Sequence, residues 1–521
     1  MNPLFVLSTI YPILTLTAGL ALVLSSATAQ PVATVSVGPY RPFNPDWVGG
    51  NANLTSVDKP GENDALVAAI RALRIKTIRY PGGTIGNYWD WDRGWIDATV
   101  PDSLMIPWVV TQGLTRSEQR YTLEDLHRLT QRTGTVPIFM LNMLSQGLEH
   151  SLRNLRRAQA LGMSIRYVEL GNELYFDLPF PKQRYPTPEV YGDTCQRWIT
   201  AIKREFPQAR CAVVGNYLDR HDRQVNWTAR VLRHCNNADA VTFHRYSPPG
   251  LDGRQEKKRI TAGTEGTADD RTVTRPGPTS PEERQPWERT QLSDPAAWAN
   301  VLTTASRAAQ TYRQVHAPDT MAIWVTEFNM RGDRSVMLHG WSHALVLATY
   351  YLEFLDSPVA LTAVHNLVGH LFGQVHTDTA NFSHVVDREV KSVPYTLTAG
   401  GLATSLFAQA TEGATAAAHL TLRNVPQLTD DRGATVASLR GWTFTREVGD
   451  QTTMVVNFGQ RASAVRWPAA WHGASMTSYY ADLTDPVNGK ESVTQQLLAI
   501  TSEAGSLPPC SITLIRHPGK D

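Results

Sequence analysis

Between Trp47 and Ala408 the chain alternates short apolar runs with amphipathic stretches, and few folds accommodate that order. Residues 63–74 carry Leu66, Ala69, Ile70 and Leu73 at helical spacing, and Ile75 to Tyr80 then reads as a strand halted by Pro81-Gly82-Gly83. Thr122 and Asp125 make a capping-box-like helix start, Leu126 and Leu129 mark its buried face, and Gly134 stops it before a strand over Val136 to Asn142. A helix ending near Leu161-Gly162 leads to the strand Ile165 to Glu173. Another, begun by Thr187-Pro188-Glu189, leads past Phe206-Pro207 to Ala212–Asn216. Ala240–Tyr246, Met321–Glu327 and Ala360–Asn366 follow, and an entry strand near Trp47-Val48-Gly49 brings the set to the eight of a closed barrel. Continuous apolar strands alternating with helices favour a parallel sheet, so the expectation is an α/β chain with a (β/α)8 TIM barrel over 45–408.

Two stretches break the rhythm. Gly250 to Arg289, rich in Gly, Thr, Pro and both charges, reads as a long loop over 250–290, either a lid or rim for substrate or an excursion without function. After a helix near Leu397 to Ala408, β-rich runs separated by turn residues predict a C-terminal antiparallel β-sandwich over 409–521. Residues 30–44 are expected to add an N-terminal strand to it.

The first forty residues contain no charged side chain, and Leu4 to Leu24 are largely apolar before Ala27-Thr28-Ala29. This pattern predicts a signal peptide over 1–29 and a secreted or periplasmic protein, with a retained membrane anchor as the other reading. Asn53, Asn226 and Asn381 head glycosylation sequons. In an exported chain Cys195, Cys211, Cys235 and Cys510 allow one or two disulfides, Cys211 with Cys235 the first pairing expected, against buried free thiols.

With 49 basic against 48 acidic side chains, a net charge of +1 leaves no nucleic-acid footprint. No cofactor or metal is implied. Pro81 to Gly86 lacks phosphate-loop spacing, no Glu follows His339 to pair with His343, and His365, His370 and His376 offer no convincing ligand set.

The chemistry-bearing residues stand where strands stop. Glu173 ends the fourth strand and Glu327 the seventh, and on a parallel barrel such C-terminal ends carry the reacting groups. Two carboxyl groups are what glycosidic cleavage needs, one to protonate the leaving oxygen and one to meet the developing positive charge. In an ideal strand Glu169, Gly171 and Glu173 share one face while Val168, Leu170 and Asn172 share the other, which turns Asn172 outward. Glu169 lies deeper and suits a structural pair with a barrel arginine. Asn142 and Tyr217 end neighbouring strands beside the cleft; Tyr88, Trp89 and Trp91 could stack on sugar or simply pack in the core or rim.

Gly171-Asn172-Glu173, Thr326-Glu327, Arg79 before Pro81-Gly82-Gly83, and His244-Arg245-Tyr246 together resemble clan A retaining glycoside hydrolases, particularly the arabinofuranosidase, β-xylosidase and heparanase/β-glucuronidase branches. The resemblance covers the barrel. It implies Glu173 as acid/base, Glu327 as nucleophile held by Arg79 and Tyr246, Asn172 bonding the sugar 2-hydroxyl, and His244 supporting the site. The implied partner is an oligosaccharide or polysaccharide. A catalytically silent carbohydrate-binding protein on the same scaffold is the contrasting reading.

Overall fold

The computed structural model describes residues 31–517 apart from 53, 56, 116–119, 252–254, 258–271, 275–280, 315, 316, 319, 332–334, 339, 369–372, 377–392 and 448. The expected signal peptide, the sequons at Asn53 and Asn381, His339 and His370 lie outside the described residues. Eight strands, β1 (Val48–Asn51), β2 (Thr77–Tyr80), β3 (Val136–Met140), β4 (Tyr167–Glu169), β5 (Arg210–Val214), β6 (Ala240–Ser247), β7 (Ala322–Met330) and β8 (Val359–Val364), close a parallel barrel in chain order. The helices between them begin and end on local chemistry. Asn63 caps Asp64–Leu73 by accepting from Leu66 N, Thr122 and Asp125 form a capping box on Leu123–Thr133, and Gly134 ends that helix in the left-handed conformation.

Inside the barrel, Ile138, Tyr167, Ala212, Ala240, Trp324 and Leu361 from six strands form a buried apolar plug, with Tyr167 and Trp324 edge-on at 5.5 Å. This plug is the floor on which a polar layer stands. β4 is shorter than the predicted strand Ile165 to Glu173 and stops at Glu169.

The predicted loop 250–290 contains more structure than its composition indicates. Gln255–Lys257 pairs with Thr272–Thr274, and a helix runs over Pro281–Ser293. That helix carries few apolar residues, Leu292 in the core and Trp287 packed against it, and Glu288 also anchors it, accepting from Arg284 Nε at 2.8 Å, Ser335 Oγ at 3.0 Å and Val336 N at 2.8 Å.

Among the described residues the C-terminal β domain comprises a separate hairpin pairing Gln427–Thr429 with Thr435–Ala437 and a nine-stranded sheet, with the N-terminal strand Ala33–Pro42 within it. That strand pairs antiparallel with Ala416–Arg423 and parallel with Ser463–Arg466. The two faces of the sheet bury different surfaces. Val455 and Ile515 join Ala33, Leu420, Leu439 and Trp467 in a core of the domain's own, so the sheet curls on itself. Met454, Val456, Ile512 and Leu514, of opposite parity, join the core cluster that runs through the barrel. Trp298 Nε1 donates to Phe458 O at 2.8 Å across the junction.

The four cysteines are unpaired and buried, so the expected Cys211–Cys235 bridge is not formed. Among the described residues no helix is long and apolar enough to cross a membrane.

Candidate active site

The C-terminal ends of the barrel strands carry a connected set of charged and polar side chains. Arg79, fully buried on β2, is its hub. Its Nε donates to Glu169 Oε2 at 2.6 Å, one terminal nitrogen to Glu327 Oε1 at 2.6 Å, and the other to Asn172 Oδ1 at 2.8 Å. Burial opposes the Arg79 charge, but Glu169 and Glu327 outweigh it and hold the guanidinium protonated.

Two local distortions aim the carboxylates. Against β6, Val325 pairs with Phe243 and Glu327 with His244, so Thr326 is an extra residue in β7. Trp324 faces the plug, and in an unbroken strand Glu327 would face the opposite way; the bulge re-aims it inward. After β4, Gly171 at φ 92° and Glu173 at φ 45° turn the chain off the strand path. Asn87 clamps the bend from both sides, its Nδ2 donating to Asn172 O at 2.7 Å and its Oδ1 accepting from Asn172 N at 3.0 Å. The outward Asn172 of ideal parity is therefore corrected: the bend turns it inward onto Arg79.

His244 joins the halves of the site. Its Nδ1 lies 2.9 Å from Glu173 Oε1 and 3.5 Å from Glu327 Oε2. Burial disfavours its charge, yet Glu327 and Glu173 prevail and raise its proton affinity. Tyr246 donates to Glu327 Oε2 at 2.9 Å, and Tyr175 to Glu173 Oε1 at 3.3 Å. Burial alone would push the Glu327 carboxyl up; His244, His365, Arg79 and the Tyr246 hydroxyl instead bring it down to about 2. His365 is itself lowered to about 4, chiefly by burial, so near neutral pH its ring is uncharged and Arg79 is a fixed positive charge beside Glu327.

Six of the predicted residues, Glu173, Glu327, Arg79, Asn172, His244 and Tyr246, meet in this cluster, and Asn142 and Trp89 do not. Asn142 organises its own loop, donating to Trp89 O at 3.1 Å and accepting from Leu144 N and Ser145 N. Trp89 is fully buried and edge-on to Tyr80, its Nε1 donating to the Tyr80 hydroxyl at 3.1 Å, and Trp91 packs on Phe139. Tyr217 lies under the Arg245 guanidinium at 3.8 Å. Sequence reasoning did not single out Asn51, Asn87 and Tyr175, and it weighed His365 only as a metal ligand. Asn51 and His365 share the strand-end signal that marked the glutamates; Asn87 sits in a loop without one.

Ligand atoms of Glu173, His244 and Glu327 lie within 4.8 Å of one another. So do those of Asp90, Asp92 and His150, with Arg153 already paired to Asp92. What the first group can do with its acids is proton transfer next to a fixed anion.

No family model matches the sequence. The chain is 24% identical over 214 residues to a probable alpha-L-arabinofuranosidase C of Aspergillus clavatus, a match covering 38% of each chain. It is 24% identical over 246 residues to an exo-alpha-(1->6)-L-arabinofuranosidase of Bifidobacterium longum, covering 43% of this chain and 44% of that one. Thus the match takes in well under half the length of these curated relatives. Among solved structures, the GH51 arabinofuranosidase of Xanthomonas axonopodis pv. citri superposes with a TM-score of 0.65 at 15% identity, over 94% of this chain and all (100%) of that one. A 4-O-alpha-L-rhamnosyl-beta-D-glucuronidase of Fusarium oxysporum gives 0.56 at 12% identity, over 93% of this chain and 99% of that one. The fold is shared with these glycoside hydrolases, and over part of the chain the sequence is similar to those of arabinofuranosidases.

Proposed function

We propose that the protein is a retaining glycoside hydrolase acting on oligosaccharide or polysaccharide, with arabinofuranosides as its first substrate class. The observation that carries this reading is the separation of the acids: a Glu173 oxygen and a Glu327 oxygen lie within 4.8 Å of each other. Retaining sites hold their carboxyl groups about 5 to 5.5 Å apart, whereas inverting sites need about 6.5 to 9.5 Å to seat a water between acid and base.

In this reading Glu327, ionised and held by Arg79 and Tyr246, attacks the anomeric carbon while Glu173 gives its proton to the departing glycosidic oxygen. The C–O bond to the leaving group breaks as the ester to Glu327 forms. Glu173, now a base, takes a proton from water, which attacks the same carbon and releases Glu327. Asn172, fixed by Arg79 and with its Nδ2 free of a protein partner, is aimed to bond the sugar 2-hydroxyl. The names of the sequence relatives favour the arabinofuranoside; the glucuronidase with the same fold supports a glucuronide as the second substrate to try.

A panel of nitrophenyl arabinofuranoside, xyloside, glucuronide and galactoside tests the reading. Turnover of one of them should disappear in Glu327→Ala and return with azide, giving a glycosyl azide of inverted configuration. Glu173→Ala should lower turnover of poor leaving groups by about 10²- to 10⁴-fold. Turnover that survives both Glu327→Gln and Glu173→Gln rules out this site. Oligosaccharide binding with no cleavage on the whole panel would favour the silent binding protein.

A further inference from the structure

The two oxygens of Glu327 have different surroundings. Oε1 accepts from Arg79 at 2.6 Å and from Asn51 Nδ2 at 3.2 Å. Oε2 accepts from Tyr246 at 2.9 Å, and His244 Nδ1 and His365 Nδ1 lie 3.5 and 3.8 Å from it.

Chemistry fixes the orientation of the Asn51 amide. An ionised carboxylate only accepts, so the Asn51 atom facing Oε1 is the donor Nδ2. Its second hydrogen points to His365 Nδ1, 2.8 Å away, which must then be the acceptor. An imidazole that accepts at Nδ1 carries its proton on Nε2. His365 Nδ1 therefore directs its lone pair at the Asn51 amide and carries no N–H that could reach toward Oε2, 3.8 Å away.

Two further features fit this arrangement. A Cβ on Gly82 would run into Asn51 Oδ1, so the glycine after β2 leaves room for the amide. The titratable groups facing His365 are Glu327, Arg79, His244 and Arg331; burial, with the last three, outweighs Glu327 and lowers it to about 4, keeping the ring neutral near pH 7.

We propose that Asn51 is a positioning residue that makes Oε2 the attacking oxygen of Glu327: it shares Oε1 with Arg79 and locks His365 in the Nε2–H tautomer, so that His365 gives no proton to Oε2. This rests on the retaining reading for the meaning of attack, but the lock itself is a property of the folded protein. An anion that already accepts from one tyrosine, with His244 Nδ1 3.5 Å away, loses nucleophilicity with each further donor.

The test is 15N NMR of the imidazole rings in the wild type and Asn51→Ala, with His365→Gln to assign the signal. The wild type should show His365 as the Nε2–H tautomer, and Asn51→Ala should show it mixed or shifted to Nδ1–H. On the active nitrophenyl glycoside, Asn51→Ala should lower kcat by about 10- to 100-fold, the worth of one hydrogen bond to a charged group, with KM little changed. A wild-type Nδ1–H tautomer, a tautomer unchanged in Asn51→Ala, or undiminished kcat in that variant would overturn the proposal. If Asn51→Ala does not fold, the wild-type tautomer decides alone. Absence of hydrolysis on every glycoside would sink the retaining reading yet leave the tautomer result standing, so the two failures are distinct.

Discussion

Arg79 serves Glu169, Glu327 and Asn172 at once because its guanidinium is a planar fork of donors. A lysine offers one nitrogen in place of three. Arg79→Met removes the charge altogether and should leave Glu169 buried without its charge partner, at a cost of about 3–5 kcal/mol, read as a lowered denaturant midpoint; an unchanged midpoint would mean the pair is not structural. Titration of the same cluster predicts acid sensitivity. Glu327 is held at about 2 against an ordinary 4.5, so its contribution is complete above 4.5 and lost as the pH falls toward 2. His365 acts in the same direction at higher pH. Lowered from 6.5 to about 4, it refuses a proton that the unfolded chain accepts between those values. His244, whose proton affinity is raised, loses its contribution only as the pH rises above 6.5 and leaves this window alone. His365→Gln should consequently lose less melting temperature between pH 6 and pH 4 than the wild type does. Equal losses would contradict the neutral buried imidazole.

At the scale of elements, strand positions were legible because each ends on a breaker or a polar residue. Pro81 after β2 and the Gly171-Asn172-Glu173 sequence after β4 are examples. The aim of the side chains was less so. Parity turns Asn172 outward, and the bend that reverses it depends on Asn87, 85 residues away and without a local signature. The bulge at Thr326 is equally silent in sequence, since it exists only relative to β6. Trp89 and Trp91 could be read for the cleft or for the core, and only their packing on Tyr80 and Phe139 decides for the core; Tyr88, also buried, packs on Phe180. Gly171→Ala tests the bend without touching a reacting group. A Cβ there would meet Leu174 Cδ1 at 2.6 Å in a backbone conformation that L-residues avoid, so a loss of about 1–3 kcal/mol is expected, together with lower kcat on the active glycoside. Wild-type melting and turnover would show that the bend is not under that constraint.

Across the whole molecule, one chain builds two cores that share a sheet. Alternate residues of the C-terminal strands face a core of their own and the barrel's outer layer, and the N-terminal strand Ala33–Pro42 ties the two ends of the chain into the same sheet. The barrel in turn gathers carboxylates 154 residues apart in sequence onto one rim, above an apolar plug that closes its floor. What that gathering predicts is a stereochemical outcome, and 1H NMR of the first-formed sugar, recorded before mutarotation on the nitrophenyl glycoside the protein turns over, reads it directly. Glu173 and Glu327 at their observed separation predict a product with the anomeric configuration of the substrate; a product of inverted configuration would contradict the account.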